Sequence, residues 1–123
     1  VLVPAVVVLT LGLAGCGGGS GGGNAKCSPY GDDLRISAQG SKFDTECLAA
    51  AADKPFTITF DNNDAGTPHN VDILGTGDSE LFNGELVTGV DQKVYLVTAL
   101  HPGTYRFRCE VHPSTMQGTF IVK

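Results

Sequence analysis

Tryptophan is absent from this chain, basic residues are few, and no apolar run is long enough to cross a bilayer. Each shortage excludes something. Only 8 lysines and arginines stand against 13 acidic residues, for a net charge of −5. With no basic stripe to hold phosphates, nucleic acid is excluded as a partner. The acidity serves solubility and the steering of a basic partner, and says nothing about fold. The apolar run at the start of the chain stops at residue 13, well short of the roughly 20 residues a spanning helix needs. There is no internal repeat, so the chain is not a repeat array. Its 123 residues have room for one core and not for two. Seventeen glycines, no tryptophan and a charged fraction of 17% point to many turns, as in a small all-β protein.

What is there begins with the apolar start, which has the length of a signal-peptide hydrophobic region. It runs into Leu13-Ala14-Gly15-Cys16. Small residues before a cysteine at the end of such a run resemble the bacterial lipobox. The resemblance implies that Cys16 is lipidated and becomes the first residue of the mature protein. No methionine and no basic segment precede the run, so the leader is expected to be truncated at its start. The bland alternative is a buried apolar strand with a free cysteine. Gly17-Gly18-Gly19-Ser20-Gly21-Gly22-Gly23-Asn24 follows, a flexible tether with nothing to bury. The expected organisation is a signal peptide over residues 1–15, a lipidated cysteine and tether over 16–32, and a folded domain over 33–123. The protein is then extracytoplasmic, held to a membrane by lipid, in a periplasm or on the outer face of the cytoplasmic membrane.

From Asp33 the chain reads as short strands. Leu34-Arg35-Ile36-Ser37-Ala38, Phe56-Thr57-Ile58-Thr59-Phe60 and His69-Asn70-Val71-Asp72-Ile73 each alternate with the period of a half-buried strand. The run from Cys47 to Ala52 is helical on propensity, but its setting between strand-like segments favours a weak strand. Asp61-Asn62-Asn63-Asp64-Ala65-Gly66 is rich in turn residues. Residues 74–89 are the least regular stretch. About seven or eight strands, with turn signals every 8–12 residues or so, make a β-sandwich by pattern.

Near the C-terminus, Tyr105-Arg106-Phe107-Arg108-Cys109 alternates and leads into Cys109-Glu110-Val111-His112-Pro113-Ser114-Thr115-Met116. Period two turns Tyr105, Phe107 and Cys109 to one face and both arginines to the other. A thiolate, an imidazole and a thioether within one loop suit copper, provided a second imidazole arrives from elsewhere. His69, in Pro68-His69-Asn70, is the candidate.

These segments resemble the cupredoxins, the family of plastocyanin, amicyanin and azurin. Pro68-His69-Asn70 is similar to the family's first ligand element, and Cys109, His112 and Met116-Gln117-Gly118 to its C-terminal loop. The resemblance covers roughly residues 33–123. It implies a Greek-key β-sandwich or barrel and a single copper ion cycling between copper(I) and copper(II). His69, Cys109 and His112 become the strong equatorial ligands and Met116 the weak axial one. Asn70 becomes the residue whose hydrogen bonds tie the two ligand segments together. Three residues separate His112 from Met116, and the adjacent Gln117 offers a second axial candidate through its amide oxygen.

Taken singly, each ligand has an ordinary reading: His69 a structural histidine, Met116 core, Cys109 a small apolar residue. Taken jointly, they read as a type 1 (blue) copper site, in a monomeric electron carrier of the cell envelope with redox protein partners. The alternative is a protein that stores or delivers copper without an electron-transfer role. An enzyme is disfavoured, because only His101 is left over for a catalytic copper, and it precedes a Pro102-Gly103 turn. Glu110 is a hard oxygen donor beside a thiolate, and Asp61, Asp64, Asp72, Asp78 and Glu80 read as solvated turn charges. With Cys16 read as lipidated and Cys109 as a ligand, Cys27 and Cys47 are left. An exported protein meets an oxidising compartment, so a disulfide and two free thiols both stay open.

Overall fold

A computed structural model describes Cys27 and residues 30–123. The leader, Cys16 and the glycine tether lie outside the described residues. Eleven strands follow one another: β1 (Tyr30–Gly31), β2 (Asp33–Ala38), β3 (Cys47–Ala50), β4 (Phe56–Asn62), β5 (Pro68–His69), β6 (Asp72–Leu74), β7 (Glu80–Asn83), β8 (Val87–Thr88), β9 (Asp91–Val97), β10 (Gly103–Arg108) and β11 (Gln117–Val122). One sheet has six strands in the order β1-β3-β11-β10-β6-β7, another has three in the order β2-β4-β9, and β5 pairs with β8 alone. The all-β fold class expected from the alternation is the one observed. The strand number is higher, because residues 74–89 contain β7, β8 and a 3₁₀ turn at Thr76–Asp78. Strands of two to four residues carry too little alternation to be read.

Alternation builds the core. In β2 and β4 every second side chain is buried, bringing Leu34, Ile36, Ala38, Phe56, Ile58 and Phe60 inward. From the six-stranded sheet come Leu48, Ile73, Phe107, Phe120 and Val122. Phe56 meets Phe120 with ring centres 5.6 Å apart, and Phe43 reaches both Phe60 and Phe107. Burying each large side chain contributes about 1.5–3 kcal/mol.

Two segments differ from the expected boundaries. β1 lies parallel to β3, the Tyr30 hydroxyl donates to the Lys123 carbonyl at 2.8 Å, and a disulfide joins Cys27 to Cys47. The sheet therefore begins inside the stretch read as tether, ahead of residue 33. Asp61 and Asn62 belong to β4 and not to a loop. Asn62 is buried because its amide has work there: Nδ2 donates to the carbonyls of Thr67 and Val87, each at 2.7 Å. One side chain thus fixes β5 and β8 onto the end of β4.

Gly118 sits in β11 opposite Phe107 of β10. A Cβ there would lie 2.5 Å from the Phe107 ring and 2.5 Å from the Glu46 carbonyl oxygen. The glycine allows the β10 aromatic to lie flat over the neighbouring strand, immediately beside Cys109. Overpacking a core of this kind costs about 1–3 kcal/mol. Gly118→Ala is expected to lose that much stability in urea melts, while Gly103→Ala, whose Cβ would meet only Tyr105 at 3.4 Å, loses much less. Equal losses would refute the close-packing account.

Candidate metal centre

Cys109 follows the last residue of β10 and points inward in phase with Phe107; both are fully buried. Beyond it the chain folds back on itself. The Cys109 amide donates to the Met116 carbonyl at 2.9 Å, and the amides of Met116 and Thr115 donate to the His112 carbonyl at 2.9 and 3.3 Å. These bonds close the loop and bring His112 back over the cysteine. His69 arrives on β5, which is held in place by pairing with Val87 of β8 and by the Asn62 amide.

The three side chains converge. Cys109 Sγ lies 3.8 Å from His69 Nδ1 and 3.9 Å from His112 Nδ1, and the imidazole centres are 4.8 Å apart. His69 and Cys109 are fully buried and His112 is half-buried. All three donor atoms lie within 4.8 Å of one another, the one such group among the described residues. Metal–nitrogen bonds of about 2.0–2.1 Å and metal–sulfur bonds of about 2.3 Å, at the angle of a trigonal plane, would separate nitrogen from sulfur by about 3.8 Å. The observed spacing fits one ion among the three.

Met116 is fully buried in the same cluster as Cys109. Gln117 turns outward, where its amide oxygen accepts from Arg106 Nη2 at 2.7 Å. The two axial candidates of the sequence are therefore on opposite sides of the strand.

Asn70 joins the ligand segments. Its Oδ1 accepts the Glu110 amide at 2.9 Å, and its Nδ2 donates to Asp72 Oδ1 and to the Gly84 carbonyl, both at 2.8 Å. Asp72 also receives Asn83 Nδ2 at 3.0 Å. Of the five acidic residues read as solvated turn charges, Asp61 and Glu80 lie in strands, and Asp64 and Asp72 are committed to the polar groups around the ligands. Asp72 is only 1% exposed. Asp64 accepts from His69 Nε2 at 2.7 Å and from the Gly40 and Ser41 amides at 2.6 and 2.8 Å. The Ser41 amide, then the His69 ring and the Gly40 amide, hold the Asp64 carboxyl below the usual range. A loop brought from a distant part of the chain supplies those donors, and no local signal in the sequence marks it. His101 is exposed and 3.2 Å from Asp53, outside the cluster, as expected.

With that geometry in view, comparison with known proteins is decisive at the family level. The Cupredoxin-like domain family matches residues 23–122. The chain belongs to that family. Among solved cupredoxin structures, "blue" copper protein auracyanin A from Chloroflexus aurantiacus matches at a TM-score of 0.68 and 23% identity, over 76% of this chain and 99% of that one. Auracyanin from Roseiflexus castenholzii matches at 0.66 and 19% identity, over 75% and 97%. Amicyanin from Paracoccus versutus (Thiobacillus versutus) matches at 0.54 and 28% identity, over 75% and 82%. No curated protein matches significantly. The auracyanins share the cupredoxin fold with this chain.

Burial, then the nearby charges of Glu110 and Glu80, raises Asp72 from 3.8 to about 6. Between those values the folded protein keeps a proton that the unfolded chain has lost, so this group's contribution to stability falls as pH rises. Asp72→Asn keeps an acceptor for Asn70 and Asn83 and removes that slope. In urea melts across the window, the variant is expected to gain on the wild type as pH rises from 3.8 toward about 6. A constant difference would show that Asp72 titrates normally.

Proposed function

We propose that this cupredoxin is a mononuclear type 1 copper protein that carries single electrons and has no substrate of its own. His69, Cys109 and His112 would hold the copper, with Met116 a weaker sulfur donor to it. The observation that carries the reading is the convergence of a buried cysteine sulfur and two imidazole Nδ1 atoms at 3.8 and 3.9 Å. Copper, when bound, supplies a one-electron couple. The thiolate favours copper(I) and the imidazoles keep copper(II) acceptable. The residues around them hold the ligands still: the Cys109–Met116 and His112–Met116 main-chain bonds fix the loop, and the Asn70 amide fixes it to β5. A site held this way rearranges little between oxidation states, which is what rapid transfer requires and what a store that releases its metal does not need. No further histidine stands near the cluster to build a catalytic copper, since His101 bonds to Asp53. The envelope setting rests on Leu13-Ala14-Gly15-Cys16; an unmodified Cys16 in the mature protein, read by mass spectrometry, would remove it.

Copper(II) added to the protein is expected to give a strong thiolate-to-metal band in the visible, abolished by Cys109→Ala. Met116→Leu is expected to keep copper and raise the reduction potential, because a long thioether bond tunes the metal and does not retain it. A colourless protein at full loading, or loss of copper from Met116→Leu, would overturn this site.

Electrons leave through His112, the half-buried ligand. Exposed Val111 and Pro113 flank it in sequence, and exposed Pro68, Leu86 and Val90 lie in or beside the β5–β8 ribbon that carries His69. Exposed apolar side chains let a redox partner approach closely and leave quickly, as small transient interfaces do, while exposed Glu85, Asp91 and Glu110 beside them in the chain act on the rate of encounter. Pro113→Glu is therefore expected to slow electron self-exchange, measured by nuclear magnetic resonance line broadening, with spectrum and potential nearly unchanged. An unaltered rate would mean another exit.

A further inference from the structure

We propose that Asp64 is a positioning residue for the metal centre, fixing the tautomer of His69 and lowering the reduction potential. The inference deepens the copper reading above and rests on it.

Both oxygens of Asp64 are committed. Oδ1 accepts the Gly40 amide at 2.6 Å, and Oδ2 accepts the Ser41 amide at 2.8 Å and His69 Nε2 at 2.7 Å. Gly40 and Ser41 are consecutive left-handed residues, with φ of 62° and 55°. They form the two-residue turn closed by the mutual main-chain bonds of Gln39 and Lys42; successive amides in a turn form a concavity that binds anions, and a serine adopts the left-handed region at an energetic cost. The aspartate is further held by its own amide, which donates to Asn62 Oδ1 at 2.9 Å. The carboxylate is therefore placed by two backbone amides, and its main chain by the Asn62 side chain, before it meets the histidine.

A neutral imidazole has one donor and one acceptor nitrogen. A carboxylate at Nε2 takes the proton side, leaving the Nδ1 lone pair directed toward Cys109 Sγ, 3.8 Å away. That is the tautomer a ligand must have. The same contact passes negative charge along the ring and raises the basicity of Nδ1, which stabilises copper(II) more than copper(I). The side chain of Asp64 is 16% exposed and that of His69 is fully buried, so the pair is only weakly screened.

The test uses the full chain. In isotope-labelled metal-free protein, nitrogen resonances of His69 are expected to report Nε2–H and a bare Nδ1. In copper-loaded protein, Asp64→Asn is expected to keep the thiolate band, raise the potential and weaken copper(II) binding about 10–100-fold, the usual loss when a ligand's outer partner is removed. Asp61→Asn, at a carboxylate bonded to Arg35 and Gln92, removes the same charge and is expected to leave both quantities close to wild type. Equal shifts in the two variants, or an Nδ1-protonated His69 in the wild type, would overturn the proposal. If Asp64→Asn does not fold, the wild-type tautomer still decides it. A wild type that stays colourless at full copper loading defeats the copper reading instead, and the metal-free measurement continues to test the Asp64–His69 lock.

Discussion

One hydrogen bond joins residues forty positions apart, from the Glu110 main-chain amide to the side-chain oxygen Oδ1 of Asn70, and the metal centre depends on it. His69 comes from a two-residue strand held by β8 and the Asn62 amide, and His112 from a loop closed by its own main-chain bonds; the Asn70 bond ties the one segment to the other. The Asn70 amide sits one residue from the first ligand and receives the amide one residue beyond Cys109. Its remaining hydrogens go to Asp72 and Gly84. A buried amide costs free energy unless its groups are paired. Here the pairing is complete only when both ligand segments are in register, so satisfying Asn70 and assembling the site are the same event.

The surrounding polar groups follow the same logic. Asn62 at the end of β4 bonds across to the carbonyls of Thr67, just before the ribbon bearing His69, and of Val87 within it. Asp64, two residues later, reaches His69 itself. Asp72 accepts from two amides and remains buried beside Glu110 and Glu80 at the expense of an elevated pKa. An apolar β-sandwich ends at this pole in a small polar network, and every member named here has a partner. Fully satisfied networks of this kind rigidify what they enclose.

Much of this was legible in the sequence. Alternation located the long strands, and Cys109, His112, His69 and Met116 stood out because soft and imidazole donors are scarce in a chain with three histidines and one methionine. Tyr30–Gly31, β7 and β8 were not legible, since two to four residues do not display a period. Asp64 and Asp72 were misread for a different reason. Asp64, among asparagines and a glycine, has the local signature of a solvated turn, and Asp72, alternating with Val71 and Ile73, that of an outward strand residue; what makes them otherwise is a donor the fold brings: the Gly40–Ser41 amides for one, the Asn70 and Asn83 side chains for the other. Local sequence states the chemistry of a side chain, not what the fold brings to it.

Strand phase separates Met116 from Gln117, the one buried and the other turned to Arg106. The β10–β11 ladder runs from Gly103↔Val122 to Arg108↔Gln117, and the next pair along, Cys109 and Met116, is tied by a main-chain bond. Phe120 and Val122 are buried while Gln117 and Thr119 are exposed, so the even-numbered residues of β11 face the core. Extending that phase back one step past the strand turns Met116 inward with Cys109 and leaves Gln117 to Arg106. A shift of one residue would exchange them, because side chains alternate across a strand. Gly118 then has its meaning as well: it is the even-numbered position that must stay empty for Phe107 to cover the strand and set the depth of Cys109. Thioether, glycine and aromatic are three consequences of one register, which is why they occur at fixed spacing in the chain.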